Sequence, residues 1–379
     1  MQKRVLIISG EASGDHHAAE LVKAVHQLDP TVHFLAMGGE KLRAAGAEII
    51  VDSKPLAVVG AIEILRHIVP IFKAWRTVRR TIRQTPLDLV VLIDYPEFNL
   101  QMAKAAKKAG VKVLYYITPQ VWAWKQKRLK TIRERVDKVL VIFPFEQPFY
   151  QRAQIPVEYV GHPLAGKVQP TQLSTAMREQ LKIAPTDRAI GLLPGSRQGE
   201  LRRLLPVILQ AAELLLAQHP NLVFILPLAS SLEVSDIQPY LVNASLPLKI
   251  ISDSKDHYNA LQLCEAAIVT SGTATLEVAL LGIPMVIIYK VAASTYHIVK
   301  RIIKIPYIGL CNIVAEKKVV QELIQHDANS TQIAAEIQHI LTDTAYQTSM
   351  RAELNTLKNK LGDGEGAQRA ARALLKLVS

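Results

Sequence analysis

The chain has 379 residues, of which 49% are apolar and 21% are charged, a composition typical of a globular protein and not of a disordered one. Its length favours two domains. The formal net charge of +12 favours an anionic partner, whereas two distant cysteines, Cys264 and Cys311, exclude a disulfide framework and a cysteine-rich zinc site.

The first apolar run follows Lys3 and Arg4 and has four residues. That is too short for the core of a signal peptide, and no stretch has the roughly 18 apolar residues of a membrane-spanning helix. We therefore predict a β-strand at this position and expect a cytoplasmic location.

Short apolar runs alternate with helix-like segments in both halves of the chain. In the first half, strands are predicted at residues 5–9, 33–37, 48–51, 87–93, 112–117, 138–143 and 157–160, and helices at 13–28 and 98–109. In the second half, strands are predicted at 189–193, 223–227, 248–251, 266–270 and 285–288, and helices at 204–218, 256–264 and 274–281. The chain beyond residue 315 is predicted to be mostly helical, at 333–341, 345–361 and 367–378.

This alternation predicts parallel strands joined by right-handed helical crossovers. A segment rich in glycine and proline at residues 161–166 favours a domain boundary there. The predicted fold class is α/β, with two tandem doubly wound (Rossmann-like) domains, residues 1–165 and 166–366, that face each other across a cleft. Ligands of such domains bind beyond the carboxyl ends of the strands.

Residues 64–87 combine six basic side chains with several apolar ones and contain no acid. On a helix that starts after Pro70, the apolar residues 71, 72, 75, 78 and 82 fall on one face. The segment can be a helix packed on the sheet or an interfacial helix on anionic lipid; the pattern alone favours the packed helix. Nucleic acid ranks last as a partner, since no helix-turn-helix, zinc-finger or RNP motif accompanies the basic residues.

Two loops of the first half carry chemically useful side chains. In residues 9–15, two glycines and a helix start suit an anion, but Glu11 and Asp15 favour contacts to hydroxyl groups, and a purely structural turn is equally consistent. Asp94 follows a strongly apolar strand. It is either the N-cap of the next helix or a general base.

Two loops of the second half suit one phosphorylated ligand. Gly195, Ser196 and Arg197 offer backbone amides, a hydroxyl and a guanidinium. Ser271, Gly272 and Thr273 open a helix in which Glu277 can accept from a ribose diol, although capping would also explain these residue types. The two loops together favour a nucleotide in the second domain and another substrate in the first.

The histidines do not predict a metal site. His16 and His17 are adjacent, so they point apart on a helix, and the role of His162 stays open. HxxxH, HExxH and strand-end DxD patterns do not occur in the sequence, so we expect neither a tightly bound metal nor another cofactor.

Six segments resemble, in order and spacing, the lipid-A-disaccharide synthase family of the GT-B superfamily of glycosyltransferases. They are residues 10–15 (GEASGD), 93–99 (IDYPEFN), 120–125 (QVWAWK), 193–197 (LPGSR), 271–277 (SGTATLE) and the region of Asn312. The resemblance covers essentially the whole chain. Tyr95 and Glu97 stand where alanine and aspartate are common in the family, and Gln120 stands where serine is common.

The resemblance implies an inverting, metal-independent transfer from UDP-2,3-diacylglucosamine to 2,3-diacylglucosamine 1-phosphate, which yields the β-1,6-linked disaccharide 1-phosphate and UDP. Asp94 would be the base and Arg197 would stabilise the departing UDP. Glu277 would hold the ribose, and Asn312 would support the nucleotide or the donor sugar. The acceptor or the transferred sugar would face Glu11, Ser13 and Gly14.

Acylated substrates imply work at a bilayer, so the resemblance favours membrane docking by residues 62–83 on the cytoplasmic side of the inner membrane. The docking residues would be Ile68, Val69, Phe72, Trp75, Arg76, Arg79 and Arg80. It also implies that helix 367–378 packs back on the first domain and that homodimers can form. The alternatives are another UDP-sugar GT-B enzyme, either a soluble transferase or a 2-epimerase, and a non-catalytic lipid-binding protein.

Overall fold

Each half of the chain folds around its own parallel β-sheet. The computed structural model describes residues 2–56, 68–124, 126–242, 244–292 and 305–378. The chain divides into two units, the first formed by Met1–Ala165 and Leu361–Ser379 and the second by Gly166–Lys360. All strand pairs that the structure describes are parallel.

The sheet of the first unit has the strand order β3-β2-β1-β4-β5-β6-β7. Its strands are β1 (Arg4–Ser9), β2 (His33–Gly38), β3 (Glu48–Asp52), β4 (Leu89–Ile93), β5 (Lys112–Tyr116), β6 (Lys138–Val141) and β7 (Val157–Tyr159). The central strands read as continuous apolar runs because helices cover both faces of the sheet. In β4, all five residues are buried.

Helices lie on both sides of this sheet. They are α1 (Ala12–Leu28), α2 (Glu40–Ala44), α3 (Ile68–Gln84), α4 (Pro96–Lys108), α5 (Arg128–Arg135) and α6 (Glu146–Arg152), with a short 3₁₀ turn at Lys54–Leu56. Leu21 and Val25 of α1 belong to the buried cluster on one face, and Val78 of α3 belongs to the cluster on the other.

The sheet of the second unit has the order β10-β9-β8-β11-β12-β13. Its strands are β8 (Arg188–Leu193), β9 (Leu222–Pro227), β10 (Leu248–Ile251), β11 (Cys264–Thr270), β12 (Met285–Tyr289) and β13 (Gln321–Ile324). The helices are α7 (Ser174–Gln180), α8 (Gln198–Gln218), α9 (Val234–Leu241), α10 (His257–Leu261), α11 (Ala274–Leu280), α12 (Leu310–Ala315), α13 (Ser330–Thr342) and α14 (Thr344–Leu361), with a 3₁₀ turn at Ser254–Asp256.

Every predicted strand is present, with ends that differ by at most two residues. The chain beyond residue 315 is mostly helical, as predicted, but it also contains a strand that was not predicted, β13, which pairs with β12 at the sheet edge. Its first residues, Gln321 and Glu322, are polar, so it lacks the apolar run that marks the other strands. Helix α8 begins at Gln198, six residues before the prediction, and contains Pro206.

The chain returns to the first unit at Leu361, and helix α15 (Gly366–Val378) follows. Ala370 and Leu374 of this helix lie in the buried cluster that includes α1. The Leu361 carbonyl accepts a hydrogen bond from the His162 amide at 2.8 Å. The Arg369 side chain donates to the Val160 carbonyl at 2.7 Å, so the carboxyl-terminal segment is tied to the strand end after β7.

Candidate functional site

The first group of site residues lies at the carboxyl edge of the first sheet. Strand β1 pairs with β4, with Ser9 opposite Ile93, so the loops that follow these two strands are neighbours. This register brings Glu11 and Asp94 together. Gly10 lies against the Tyr95 ring, where an added Cβ would come within 2.4 Å of it, so any larger residue would push the two loops apart.

Asp94 sits in an unusual turn. Both Asp94 and Tyr95 have left-handed backbones, with φ of 47° and 43°, which costs conformational energy that the surroundings must offset. Asn99 donates to the Asp94 carbonyl at 2.7 Å, and the Tyr115 hydroxyl donates to the same oxygen at 2.8 Å. Helix α4 has Tyr95 as its N-cap residue, so the capping alternative for Asp94 is wrong.

The environment of Asp94 suits a base. Burial raises the pKa of its carboxyl group, and the nearby Glu11 carboxylate contributes a smaller rise; together they bring the pKa to about 6. A carboxylate with a pKa in this range is still ionised at neutral pH and is a stronger proton acceptor than an ordinary aspartate. Burial and the same Glu11 charge also raise the pKa of Tyr95.

The rest of the first loop is divided between exposed and structural residues. Ser13 is exposed, whereas Gly14 is buried, and an added Cβ on Gly14 would come within 3.3 Å of Ser9 Cβ. The expectation that Asp15 contacts substrate hydroxyls is wrong. Its carboxylate accepts from the amides of Gly39 at 2.6 Å and Lys41 at 3.1 Å, so it fixes the start of α2.

His162 is a buried, neutral side chain. Its Nδ1 accepts a hydrogen bond from the Leu164 amide at 3.2 Å, and its ring lies 5.0 Å from that of Phe143. Burial, with a smaller contribution from His17, lowers its pKa to about 3. These contacts assign His162 to packing and to the turn that follows it.

Sequence reasoning missed one buried acid of the first unit, Glu146. It accepts from Trp122 Nε1 at 3.2 Å and from the Phe143 amide at 3.0 Å, and burial raises its pKa to about 7. It therefore anchors the loop that carries Trp122. Its only sequence signal is an acid inside an aromatic run, which does not distinguish this role from a surface position.

The second group of site residues surrounds a cavity of about 480 Å³ in the second unit. Strand β8 pairs with β11, with Leu193 opposite Val269, so the loops after these strands are adjacent. All the residues predicted from these two loops line the cavity: Gly195, Ser196, Arg197, Ser271, Gly272, Thr273 and Glu277. A pocket of this size is in the range of small-molecule sites.

In the first of these loops, Glu200 organises the backbone. It accepts from the Ser196 amide at 2.8 Å and pairs with Arg197 at 3.4 Å. Gly195 has a φ of 109°, and an added Cβ would come within 2.3 Å of the Glu200 carboxylate. The Arg197 side chain is 71% exposed, so its guanidinium is accessible to an anionic ligand.

The second loop presents polar groups from a fixed backbone. The Ser271 hydroxyl donates to the Ile308 carbonyl at 3.0 Å, and the Thr275 hydroxyl donates to the Gly272 carbonyl at 2.8 Å. Glu277 is hydrogen-bonded to Tyr258, and burial raises its pKa. Sequence reasoning missed Tyr258, which also lines the cavity, because nothing in its neighbourhood distinguishes it from a core aromatic residue.

Thr270 also lines this cavity. Its hydroxyl is buried and has no hydrogen-bond partner among the described residues. A buried polar group without a partner is uncommon. At this position, the hydroxyl can form a hydrogen bond with a bound ligand.

The structure places Asn312 away from the described lining of the cavity. The residue is fully buried and does not line the cavity. Its amide nitrogen donates to the Val320 carbonyl and to Glu322, both at 2.9 Å, and its oxygen accepts from the amides of Val319 and Val320. Glu322 in turn accepts from the amides of Ile308 and Gly309, so Asn312 supports the segment that Ser271 contacts.

Replacement of Asn312 by alanine is expected to lower the free energy of unfolding by about 2–3 kcal/mol, because buried amides lose their acceptor. Denaturant unfolding of the protein measures this change. The control is Asn221→Ala, which replaces an exposed asparagine and is expected to lower the free energy of unfolding by less than about 1 kcal/mol. Unchanged stability with a large loss of UDP affinity would return Asn312 to the ligand site.

A third feature is the outer face of α3. Residues 62–67 of the predicted docking segment lie outside the described residues. Ala74, Val78 and Ile82 are buried against the sheet, as the packed-helix interpretation predicts. Phe72 was expected on the same face but is exposed, because it lies about 200° of helical rotation from Ala74. Val69 and Phe72 are 73% and 58% exposed.

Within the described residues, no helix has the length and apolarity needed to cross a membrane. The described part of the chain also holds no group of three histidine, cysteine or acidic side chains arranged for a metal ion.

The comparisons with solved structures concern the fold. The S. aureus MnaA–UDP co-structure aligns with a TM-score of 0.65 at 13% identity, covering 99% of this chain and 97% of that chain. The crystal structure of Acinetobacter baumannii MurG aligns with a TM-score of 0.61 at 18% identity, covering 99% of both chains. These likenesses confirm the predicted α/β fold of GT-B type with a helical carboxyl-terminus.

The sequence comparisons concern the family. A family model described as lipid-A-disaccharide synthetase matches residues 5–376. The lipid-A-disaccharide synthase of Geobacter metallireducens is 50% identical over 376 residues, which cover 99% of this chain and 97% of that protein. The chain therefore belongs to the lipid-A-disaccharide synthase family, which consists of glycosyltransferases of lipid A biosynthesis.

Proposed function

We propose that the protein transfers the sugar of UDP-2,3-diacylglucosamine to 2,3-diacylglucosamine 1-phosphate. The observation that carries the proposal is the match to the family model over residues 5–376. The Asp94 carboxylate, which lies at the sheet edge beside Glu11 with a pKa raised to about 6, supplies the base. Asp94 takes the proton of the acceptor 6-hydroxyl as the oxygen of that hydroxyl attacks the anomeric carbon of the donor. The bond from that carbon to the UDP oxygen breaks, and its electron pair leaves with UDP.

The nucleotide part of the donor is proposed to bind in the cavity of the second unit. Arg197 and the amides of its loop stabilise the diphosphate, whose negative charge grows as UDP departs. Glu277 accepts from the ribose hydroxyls. The exposed guanidinium of Arg197 supports this assignment, as does the fold shared with a protein whose structure was solved with UDP.

The test is product formation from the two acylated substrates in detergent micelles, followed by mass spectrometry. We expect a disaccharide 1-phosphate and one UDP for each molecule formed. UDP binding without this product, but with conversion of another UDP-sugar, would favour a different transferase or an epimerase. Binding of the acylated sugars without any turnover would favour a lipid-binding protein.

We further propose that the outer face of α3 docks the protein on the cytoplasmic side of the inner membrane. Phe72 stacks with Trp75 at 6.0 Å, and the Arg79 guanidinium lies 4.8 Å from the Trp75 ring centre. Apolar side chains flanked by arginines suit an interface with anionic lipid. Arg76 and Arg80 are also exposed on this helix, and Ile68 begins it.

Replacement of Val69 and Phe72 by serine is expected to weaken binding to phosphatidylglycerol vesicles by tenfold or more, because each buried apolar side chain contributes about 1.5–3 kcal/mol. Vesicle sedimentation measures the effect. The control variant replaces Leu173 and Val242 of the second unit, which are 77% and 78% exposed, and should bind like the wild type. Equal binding of both variants would place the docking surface elsewhere.

A further inference from the structure

Arg128 and Glu97 form an ion pair beside the Asp94 turn. Glu97 lies in the first turn of α4, three residues after Asp94, and Arg128 begins α5. Strands β4 and β5 are neighbours, with Ile93 opposite Tyr116, so the segments that follow them share one edge of the sheet. The Arg128 side chain is 12% exposed, whereas that of Glu97 is 72% exposed.

The Arg128 guanidinium has a second partner in Trp124, and its charge acts on Tyr115. It lies 5.6 Å from the Trp124 ring centre, a cation–π geometry that holds a guanidinium in place. Burial and the Asp94 charge raise the pKa of Tyr115, whereas the Arg128 charge opposes that rise. The guanidinium therefore acts on the same hydroxyl that donates to the Asp94 carbonyl.

The two partners of this ion pair differ in how readily they can be replaced. The Glu97 carboxylate is 72% exposed, so water can solvate it when it leaves the guanidinium, while Trp124 stays beside Arg128. Arginine binds phosphate through two parallel hydrogen bonds. A phosphate dianion is therefore a stronger partner for Arg128 than the solvated Glu97 carboxylate.

The acceptor sugar needs two contacts that match this arrangement. Its 6-hydroxyl must reach a base. Its phosphate is attached to the anomeric carbon, on the other side of the ring oxygen, and needs a cation. Asp94 and Arg128 supply a base and a cation at one sheet edge. We propose that Arg128 binds the phosphate of the acceptor and that Glu97 occupies its guanidinium until the acceptor arrives, an inference that rests on the proposed function.

The test compares 2,3-diacylglucosamine 1-phosphate with the same sugar without phosphate, in the same micelles, as acceptors for the wild type and for Arg128→Gln. Loss of the phosphate contact is expected to lower kcat/KM for the phosphorylated acceptor by 10- to 100-fold, mainly through KM, and to change the phosphate-free acceptor little. If the phosphate-free sugar reacts too slowly to follow, its inhibition of the normal reaction gives the same comparison.

Three variants separate phosphate binding from a structural role. Glu97→Gln should leave KM for the phosphorylated acceptor unchanged or lower it, because the guanidinium is released. Arg128→Lys, which keeps the charge but loses the two parallel hydrogen bonds, should fall between Arg128→Gln and the wild type. Arg133→Gln, an exposed arginine of the same helix, is the matched control and should behave like the wild type.

Two outcomes would overturn the inference alone. Equal losses for both acceptors in Arg128→Gln and Glu97→Gln, with a lower melting temperature, would make the pair a structural link between α4 and α5. Weaker binding of Arg128→Gln to phosphatidylglycerol vesicles, with acceptor discrimination unchanged, would assign the arginine to lipid headgroups. A wild type that forms no disaccharide from either acceptor would overturn the proposed function and this inference together.

Discussion

Replacement of Asp94 by asparagine is expected to lower kcat by about 10²–10⁴-fold, because the acceptor hydroxyl then loses its general base. Asparagine has nearly the same shape, and the Asp94 turn is held through its backbone carbonyl by Asn99 and Tyr115, so the loop should keep its conformation. The affinity for UDP should not change, since the nucleotide is proposed to bind in the second unit. Single-turnover rates and UDP titration calorimetry measure the two quantities separately.

The stability of the Asp94→Asn variant is the control for this prediction. Burial and the Glu11 charge raise the pKa of Asp94 to about 6, so the ionised carboxylate costs the folded state free energy above the ordinary aspartate pKa. Removing the charge should therefore leave thermal stability at pH 8 unchanged or higher. Near-normal turnover by a stable variant would remove Asp94 as the base.

The same pKa predicts the pH dependence of the wild type. A base works in its deprotonated form, so kcat/KM should fall as the pH drops below about 6. Glu11→Gln should shift the acid limb to lower pH, because one cause of the raised pKa is lost. An acid limb that stays in place in Glu11→Gln would show that another group controls it.

Replacement of Arg197 by alanine is expected to weaken UDP binding by about 10- to 100-fold, the range given by the loss of a charge-assisted hydrogen bond worth about 1.5–3 kcal/mol. With the donor substrate, kcat/KM should fall by a larger factor than the UDP affinity does, because negative charge on the leaving diphosphate grows in the transition state. Calorimetry with UDP and steady-state kinetics with the donor measure the two effects.

The control for Arg197 is Arg202, an exposed arginine of α8, the helix that follows Arg197. Arg202→Ala should bind UDP like the wild type. The Ser196 amide keeps its hydrogen bond to Glu200 in both variants, so the loop backbone should not change. Unchanged UDP affinity in Arg197→Ala would assign the loop after β8 to another ligand.

The sequence predicted the sheets well because both are parallel and buried. Their strands read as apolar runs, and the residues just after those runs, Asp94 and Arg197 among them, lie at the carboxyl edges by the geometry of the fold. Strand β13 was missed for the opposite reason, since an edge strand that begins with Gln321 and Glu322 carries no apolar signal.

Individual side-chain roles were harder to predict than positions. Asp15 and Asn312 lie in motifs, yet their polar atoms are used within the fold. Asp15 accepts from an amide 24 residues away, and Asn312 accepts from the amides seven and eight residues further along the chain. Such partners are brought together by tertiary structure and leave no local pattern. Phe72 was assigned to the buried face of α3 because Ala74 was not counted among the apolar residues of the helix. Without Ala74, the centre of the predicted buried face moves toward Phe72, and small residues such as alanine are weak markers of burial.

The measurement that tests the central claim most directly is the configuration of the new glycosidic bond, determined by NMR on product formed with a chelator present. Direct attack by a hydroxyl that Asp94 deprotonates predicts inversion to a β-linkage from an α-linked donor, at a rate that EDTA does not change. Retention of configuration would require either a covalent glycosyl intermediate or attack from the face that UDP leaves, and either route would contradict the role given to Asp94. Loss of activity with EDTA would contradict the role given to Arg197 and its loop as the groups that stabilise departing UDP.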